Sequence, residues 1–166
     1  MKNIRPWIFA STAELYQLLD KAAQLQRAQP TALILPVLVC RRANHTMFFM
    51  ARELGFKILP TQRQYIRGVN AEHLQQVRNE LGFYDLTDRD PDDPDPFLVK
   101  NFCNQIPKDA ADYCRRWRDT VLTYELDEYF TPLRDKSLRF ADREAVLDEF
   151  KASAARIERD VRQGGW

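Results

Sequence analysis

Residues 35–68, LPVLVCRRANHTMFFMARELGFKILPTQRQYIRG, constrain the fold of this chain more than any other stretch. An apolar run closes on Arg41 and Arg42. A short amphipathic segment follows, and a second apolar run closes on Gln62, Arg63 and Gln64. That order predicts strand, helix, strand. Two short strands joined by a crossover helix lie parallel, with a right-handed connection. Polar and cationic groups then collect past the carboxyl ends of both strands, the edge at which open α/β sheets meet ligands.

The flanking sequence extends this unit. Ser11 and Glu14 have the spacing of a capping box, opening a helix that runs to about Ala28. Leu15, Leu18, Leu19, Ala22 and Leu25 recur at helical spacing and form its inward face. Pro36 cannot donate a ladder hydrogen bond, so the first strand is expected over Pro36–Arg41. Asn44 is placed to cap a helix over 45–54, with Met47, Phe48, Ala51 and Leu54 as its buried stripe and Gly55 just past its end. Phe56 to Leu59 makes the second strand.

After Asn70 a helix carries Leu74, Val77 and Leu81 on one face and stops at Gly82. Residues 85–96, DLTDRDPDDPDP, read as an acidic, proline-broken loop. Beyond it come a short helix at about 96–104, a long one at about 108–129 and a last one from Asp142 to about Arg162, with Pro132 separating the final pair. The last helix carries Val146, Leu147, Phe150, Ala154, Ile157 and Val161 on its inward face, and Gly164, Gly165 and Trp166 form a frayed end. The expected class is therefore α/β, a helix–strand–helix–strand core with a short parallel sheet and a mainly helical C-terminal half. One domain, 1–166, is expected: an α/β part (1–84), the acidic loop (85–96) and a helical part (97–166).

Composition narrows the function classes. With 45% hydrophobic and 30% charged residues, a chain of 166 residues has an ordinary globular balance and buries roughly two thirds of its unfolded surface. A net charge of +1 gives no global attraction for nucleic acid or membrane, so any such affinity must come from local segregation. Cys40, Cys103 and Cys114 include no CxxC pair, which fits buried thiols in a reducing, cytoplasmic setting. The start, MKNIRPWIFASTAEL, has no sustained apolar region of a targeting segment, and the run at 32–40 is too short to span a membrane. No cofactor is implied.

Charge is segregated between residues 41 and 67. Arg41, Arg42, Arg52, Lys57, Arg63 and Arg67 face only Glu53. The expected binding residues are Arg41, Arg42, Asn44 and His45 after the first strand, and Gln62, Arg63, Gln64 and Arg67 after the second. Arginine supplies bidentate donors for phosphate, and the amides add neutral ones. The structural alternative is that these side chains cap helices and pair with the acidic loop. His45 and His73 stand beside no nucleophile motif. The aspartates at 88, 90 and 92 alternate like the start of a calcium loop, but Asp93 replaces the required glycine and Val99 the closing glutamate, so a solvated loop is expected and no metal. The aromatic residues of the C-terminal half, including Phe97, Phe102 and Trp117, are expected in the core.

PVLVCRRA, TMFFMARELGF and KILPTQRQYI, with the helix before them, resemble the C-terminal part of the restriction-endonuclease-like (PD-(D/E)xK) nuclease fold over residues 11–66. The family's metal-binding Asp and Glu-x-Lys lie on strands before that helix, whereas the ten residues here contain no acid. Glu149-Phe150-Lys151 falls on a helix, where residues two apart face different directions. The resemblance thus implies a degenerate or split nuclease-like domain, non-catalytic on its own, that binds DNA, RNA or a nucleoprotein, with a protein partner supplying any catalytic strands. The alternative is an assembly subunit that uses its helices and acidic loop, with oligomers allowed. A phosphate-dependent small-molecule enzyme would need a glycine-rich loop that is absent.

Overall fold

Strand β1 (Val37–Cys40) pairs in parallel with β2 (Lys57–Pro60), Val37 opposite Lys57 and Cys40 opposite Pro60, and helix α2 (His45–Leu54) makes the crossover. The structure is a computed structural model that describes residues 7–90, 92 and 94–163, with the backbone only at 157, 158 and 160–163. Pro91, Asp93 and the Gly164–Trp166 end lie outside the described residues, and the Ile157 and Val161 side chains with them. The mixed α/β class with a helical C-terminal half is as expected.

The caps of α2 are those its sequence specifies. The Asn44 side chain accepts from the Thr46 N–H at 3.0 Å, and Gly55 takes the left-handed conformation at φ 85°. Gly55 has a second role. A Cβ there would lie 2.3 Å from the Trp117 backbone nitrogen and 2.6 Å from the Tyr113 carbonyl oxygen, so glycine lets the end of α2 approach helix α5 (Ile106–Thr123). The buried stripe of α2 is narrower than its periodicity implies. Met47, Ala51 and Leu54 are buried, but Phe48 is exposed, as is Phe49.

The acidic stretch departs most from expectation. Leu86–Asp88 is a strand, β4, parallel to β3 (Gln64–Ile66), with α3 (Ala71–Leu81) as crossover. The fold therefore contains two successive strand–helix–strand units, each with its own two-stranded sheet. Among the described residues, the rest of the loop is held by its own carboxylates. Asp88 accepts from the Gly68 N–H at 3.1 Å, Asp90 from the Asp92 N–H at 3.0 Å, and Asp95 caps α4 (Pro96–Lys100) through the Phe97 N–H at 2.7 Å.

Helix α1 (Ala13–Ala28) starts without the predicted capping box. Thr12 is the cap residue, and its Oγ accepts from the Phe9 N–H at 2.9 Å, while Glu14 pairs with Lys136 at 2.8 Å. Leu25 is exposed, whereas Leu15, Leu19 and Ala22 are buried. The helices expected at about 96–104 and 108–129 are divided differently: the first runs on into the second, and the second breaks after Thr123. Residues Asn101–Gln105 form a π-helical turn ahead of Pro107, whose ring opposes a normal i−4 carbonyl contact at Cys103. After Thr123 the chain extends so that Leu126 enters the core, and α6 (Asp127–Arg134) begins.

Pro132 lies inside α6 and does not end it. The break before α7 (Phe140–Gln163) is made by Asp135, whose carboxylate accepts from the Ser137 N–H at 2.8 Å. Arg143, itself buried, donates to the Leu133 carbonyl at 2.6 Å and caps the end of α6.

One hydrophobic cluster joins both parts of the chain. Leu15, Tyr16 and Leu19 from α1 pack with Met47, Leu54, Phe56, Trp117, Phe130 and Phe150. Tyr16 meets Phe130 and Phe150 at centroid distances of 5.9 and 6.2 Å, and its hydroxyl donates to the Ala10 carbonyl at 2.7 Å. Asp20, buried on α1, pairs with Arg134 on α6, as a carboxylate removed from water requires.

Two predictions follow from this packing. Gly55→Ala should lower unfolding free energy by at least about 2 kcal/mol in urea titration, because left-handed strain adds to a backbone clash. Cys40 and Cys114 are buried, but Cys103 is exposed, contrary to expectation. Burial pushes the Cys40 thiol up to about 11. Mass-resolved alkylation at neutral pH should therefore modify Cys103 in the native protein and the other two only on unfolding.

Candidate nucleic-acid interface at the strand ends

The segment from Lys57 to Ile66 serves two sheets in turn. The first ladder continues past β2 as the Thr61 N–H donates to the Cys40 carbonyl at 2.9 Å and the Gln62 N–H to the Arg41 carbonyl at 2.8 Å. Two residues later the Gln64 N–H donates to the Asp85 carbonyl at 2.9 Å and opens the second sheet. Gln62, at φ 58°, turns the chain from one partner to the other. A left-handed conformation at a non-glycine residue is strained and is held only by its surroundings.

Arg41 and Asp85 close this junction from the side-chain direction. The guanidinium binds both carboxylate oxygens, and each side chain is about nine-tenths buried. Hydrogen bonds from Arg41 hold the Asp85 carboxyl below its ordinary value of 3.8; burial opposes the shift, and the charges of Arg41 and Arg42 add to it. Arg41 therefore lies beneath the patch and serves as its brace. The pairing with the acidic loop, the structural alternative for these arginines, is realised at this residue.

The other predicted residues separate into groups. Arg42 and Arg63 line one cleft of about 830 Å³ together with Gln62, Tyr84, Asp95 and Phe97. Arg42 is 3.8 Å from Asp85, and its guanidinium lies 5.7 Å from the Trp7 ring centroid. Among the described residues Arg63 meets no carboxylate. Gln64 lines an adjoining cleft of about 770 Å³, with Trp7, Arg42, Phe83 and Tyr84. Arg67 stands apart, in a separate depression with Gly68, Asp88 and Arg89.

Asn44 and His45 belong to the start of α2. Asn44 caps the helix, and the exposed His45 ring meets Phe49 edge-on at 4.7 Å. Of the remaining cations in the segment, Arg52 pairs with Glu53 at 2.9 Å and Lys57 with Asp109 at 2.6 Å, so neither serves the clefts.

Sequence reasoning missed the aromatic rim. Tyr84, Phe83 and Trp7 are exposed around the two clefts, and Phe97, expected in the core, is 39% exposed at the mouth of the first. The only sequence signal was Phe83-Tyr84 directly after the helix-ending Gly82. Among the described residues no group of three His, Cys, Asp or Glu side chains is arranged to hold a metal ion, and no helix is long and apolar enough to cross a membrane. Glu149 and Lys151 lie on α7 on either side of the fully buried Phe150, with Lys151 paired to Asp148 at 2.9 Å. No protein-family model, curated protein or solved structure matches this chain.

The brace has a testable energy. Asp85→Asn should destabilise the protein by about 2–4 kcal/mol, since a buried guanidinium loses its counter-charge. Arg41→Met with Asp85→Leu should recover most of that loss in urea titration. Because the Asp85 carboxyl is held down in the fold, its contribution is full above pH 3.8 and is lost as pH falls through the folded value. Wild type should therefore lose its advantage over Asp85→Asn in strong acid.

Proposed function

We propose that this chain binds nucleic acid through the cleft shared by Arg42 and Arg63, as a nuclease-like domain without chemistry of its own. One observation carries the reading. Of the cations between residues 41 and 67, Arg42 and Arg63 share the first cleft and, among the described residues, neither is closed into a short ion pair, while Arg41, Arg52 and Lys57 are held by carboxylates and Arg67 stands apart. Guanidinium forks opening into a concave strand-end site match phosphate oxygens. The helix–strand–helix–strand order of residues 13–60, with its parallel β1–β2 pair, is the order that the nuclease-like resemblance implies.

Binding of labelled oligonucleotides across a salt series tests the proposal. Affinity should fall with salt, and Arg42→Ala with Arg63→Ala should weaken binding and reduce the log–log slope by about 2, roughly one for each phosphate contact removed. An unchanged slope in the double variant would contradict the assignment, and metal-dependent cleavage by the purified chain would contradict its non-catalytic part.

A second reading, an assembly subunit, is favoured by Phe48 and Phe49, which stand exposed on α2 beside an apolar groove lined by Met50, Phe150 and Ala154. Light scattering decides its self-association form. A monomer at high concentration whose state is unchanged by Phe49→Ser would count against it.

A further inference from the structure

The two strand-end clefts adjoin, and Tyr84, Arg42 and Asp85 line both. Each has a volume within the range of about 300–1,000 Å³ typical of ligand sites. Tyr84 is 72% exposed, a large cost in apolar surface for a residue with no role. Phe97 lines only the first cleft and Phe83 only the second. Each cleft also holds one glutamine, Gln62 in the first and Gln64 in the second.

Charge argues for stacking over phosphate contact. Arg41 and Asp85 neutralise each other beneath the clefts, so Arg42 and Arg63 against Asp95 leave a small positive excess. Duplex binders rely on many phosphate contacts, because stacked and paired bases hide their faces. Here the cations are few and the exposed rings many. Single strands are held by that combination, aromatic side chains taking base faces while a modest positive groove follows the backbone.

We propose that the paired clefts bind single-stranded nucleic acid, one base on each side of the Tyr84 ring, with the linking phosphate on Arg42. The inference rests on the nucleic-acid reading above and adds the strand type and the residue that selects it. Phe97 and Phe83 are the outer walls for the two bases. Gln62 and Gln64 offer amide donors and acceptors to base edges, which a single strand leaves free. Trp7 acts as a positioning residue, its ring fixing the Arg42 guanidinium by cation–π contact.

The test is fluorescence anisotropy of the full chain with a thymidylate dodecamer, a uridylate dodecamer and a DNA duplex of the same length. At least one single strand should bind about 10-fold or more tighter than the duplex. Tyr84→Leu should weaken single-strand binding by at least about 5-fold, since both bases lose the ring as a stacking face, with little change in the salt slope. Tyr84→Phe keeps the ring and should bind like wild type; at so exposed a position neither change threatens folding.

The relative affinities of the two single strands separate DNA from RNA. Duplex binding as tight as single-strand binding, or an unaffected Tyr84→Leu, would overturn this inference and leave the nucleic-acid reading standing. Binding to none of the three probes would overturn both.

Discussion

The buried ion pair between Arg41 and Asp85 is the contact on which the strand-end region depends. It joins the last residue of the first ladder to the residue that opens the second, and the backbone does the same through Gln62 and Gln64. Each two-stranded sheet is too small to stand alone. The first packs through Cys40 and Ile58 on the core that holds Tyr16, Phe130 and Phe150, and the Arg41–Asp85 pair ties the second to it at a corner. A site needs such a tie, because phosphate and base recognition are sensitive to small displacements of the donors.

The corner also explains why neighbouring arginines behave differently. Arg41 is buried against Asp85 under the junction, whereas Arg42, one residue later, has its side chain 42% exposed and lines both clefts. Ile8 bridges Ala43 from the other side, its N–H donating to the Arg42 carbonyl at 2.9 Å, which brings Trp7 against Arg42. The N-terminal segment thus helps hold the cationic wall in place. Charge segregation in the sequence marked the residues that gather around the strand ends; burial decides which of their charges stay exposed.

Much of the fold was legible where a local rule acts alone. Asn44, Gly55, Asn70 and Gly82 bound two helices as caps, and the apolar runs gave β1 and β2 to within a residue or two. Strand β4 was not legible. Three residues are too few to show alternation, and Leu86–Asp88 lies among aspartates, so only its partner Gln64–Ile66 makes it a strand. The break at Tyr124–Leu126 has no glycine or proline to announce it and follows from burying Leu126. At the candidate site the arginines were legible from charge and the glutamines from their place after the second strand, whereas Tyr84 and Phe97 looked like any other aromatic residues until their exposure was known.

The central claim is that the corner between the two small sheets is where nucleic acid sits. Backbone amide resonances followed through titration with a short single-stranded oligonucleotide test it most directly. The account predicts that Arg42, Gln62, Arg63, Tyr84 and Phe97 shift together and saturate at one concentration, while residues along α7 stay still. Shifts confined to the Phe48–Phe49 face of α2, or no shifts at all, would contradict it.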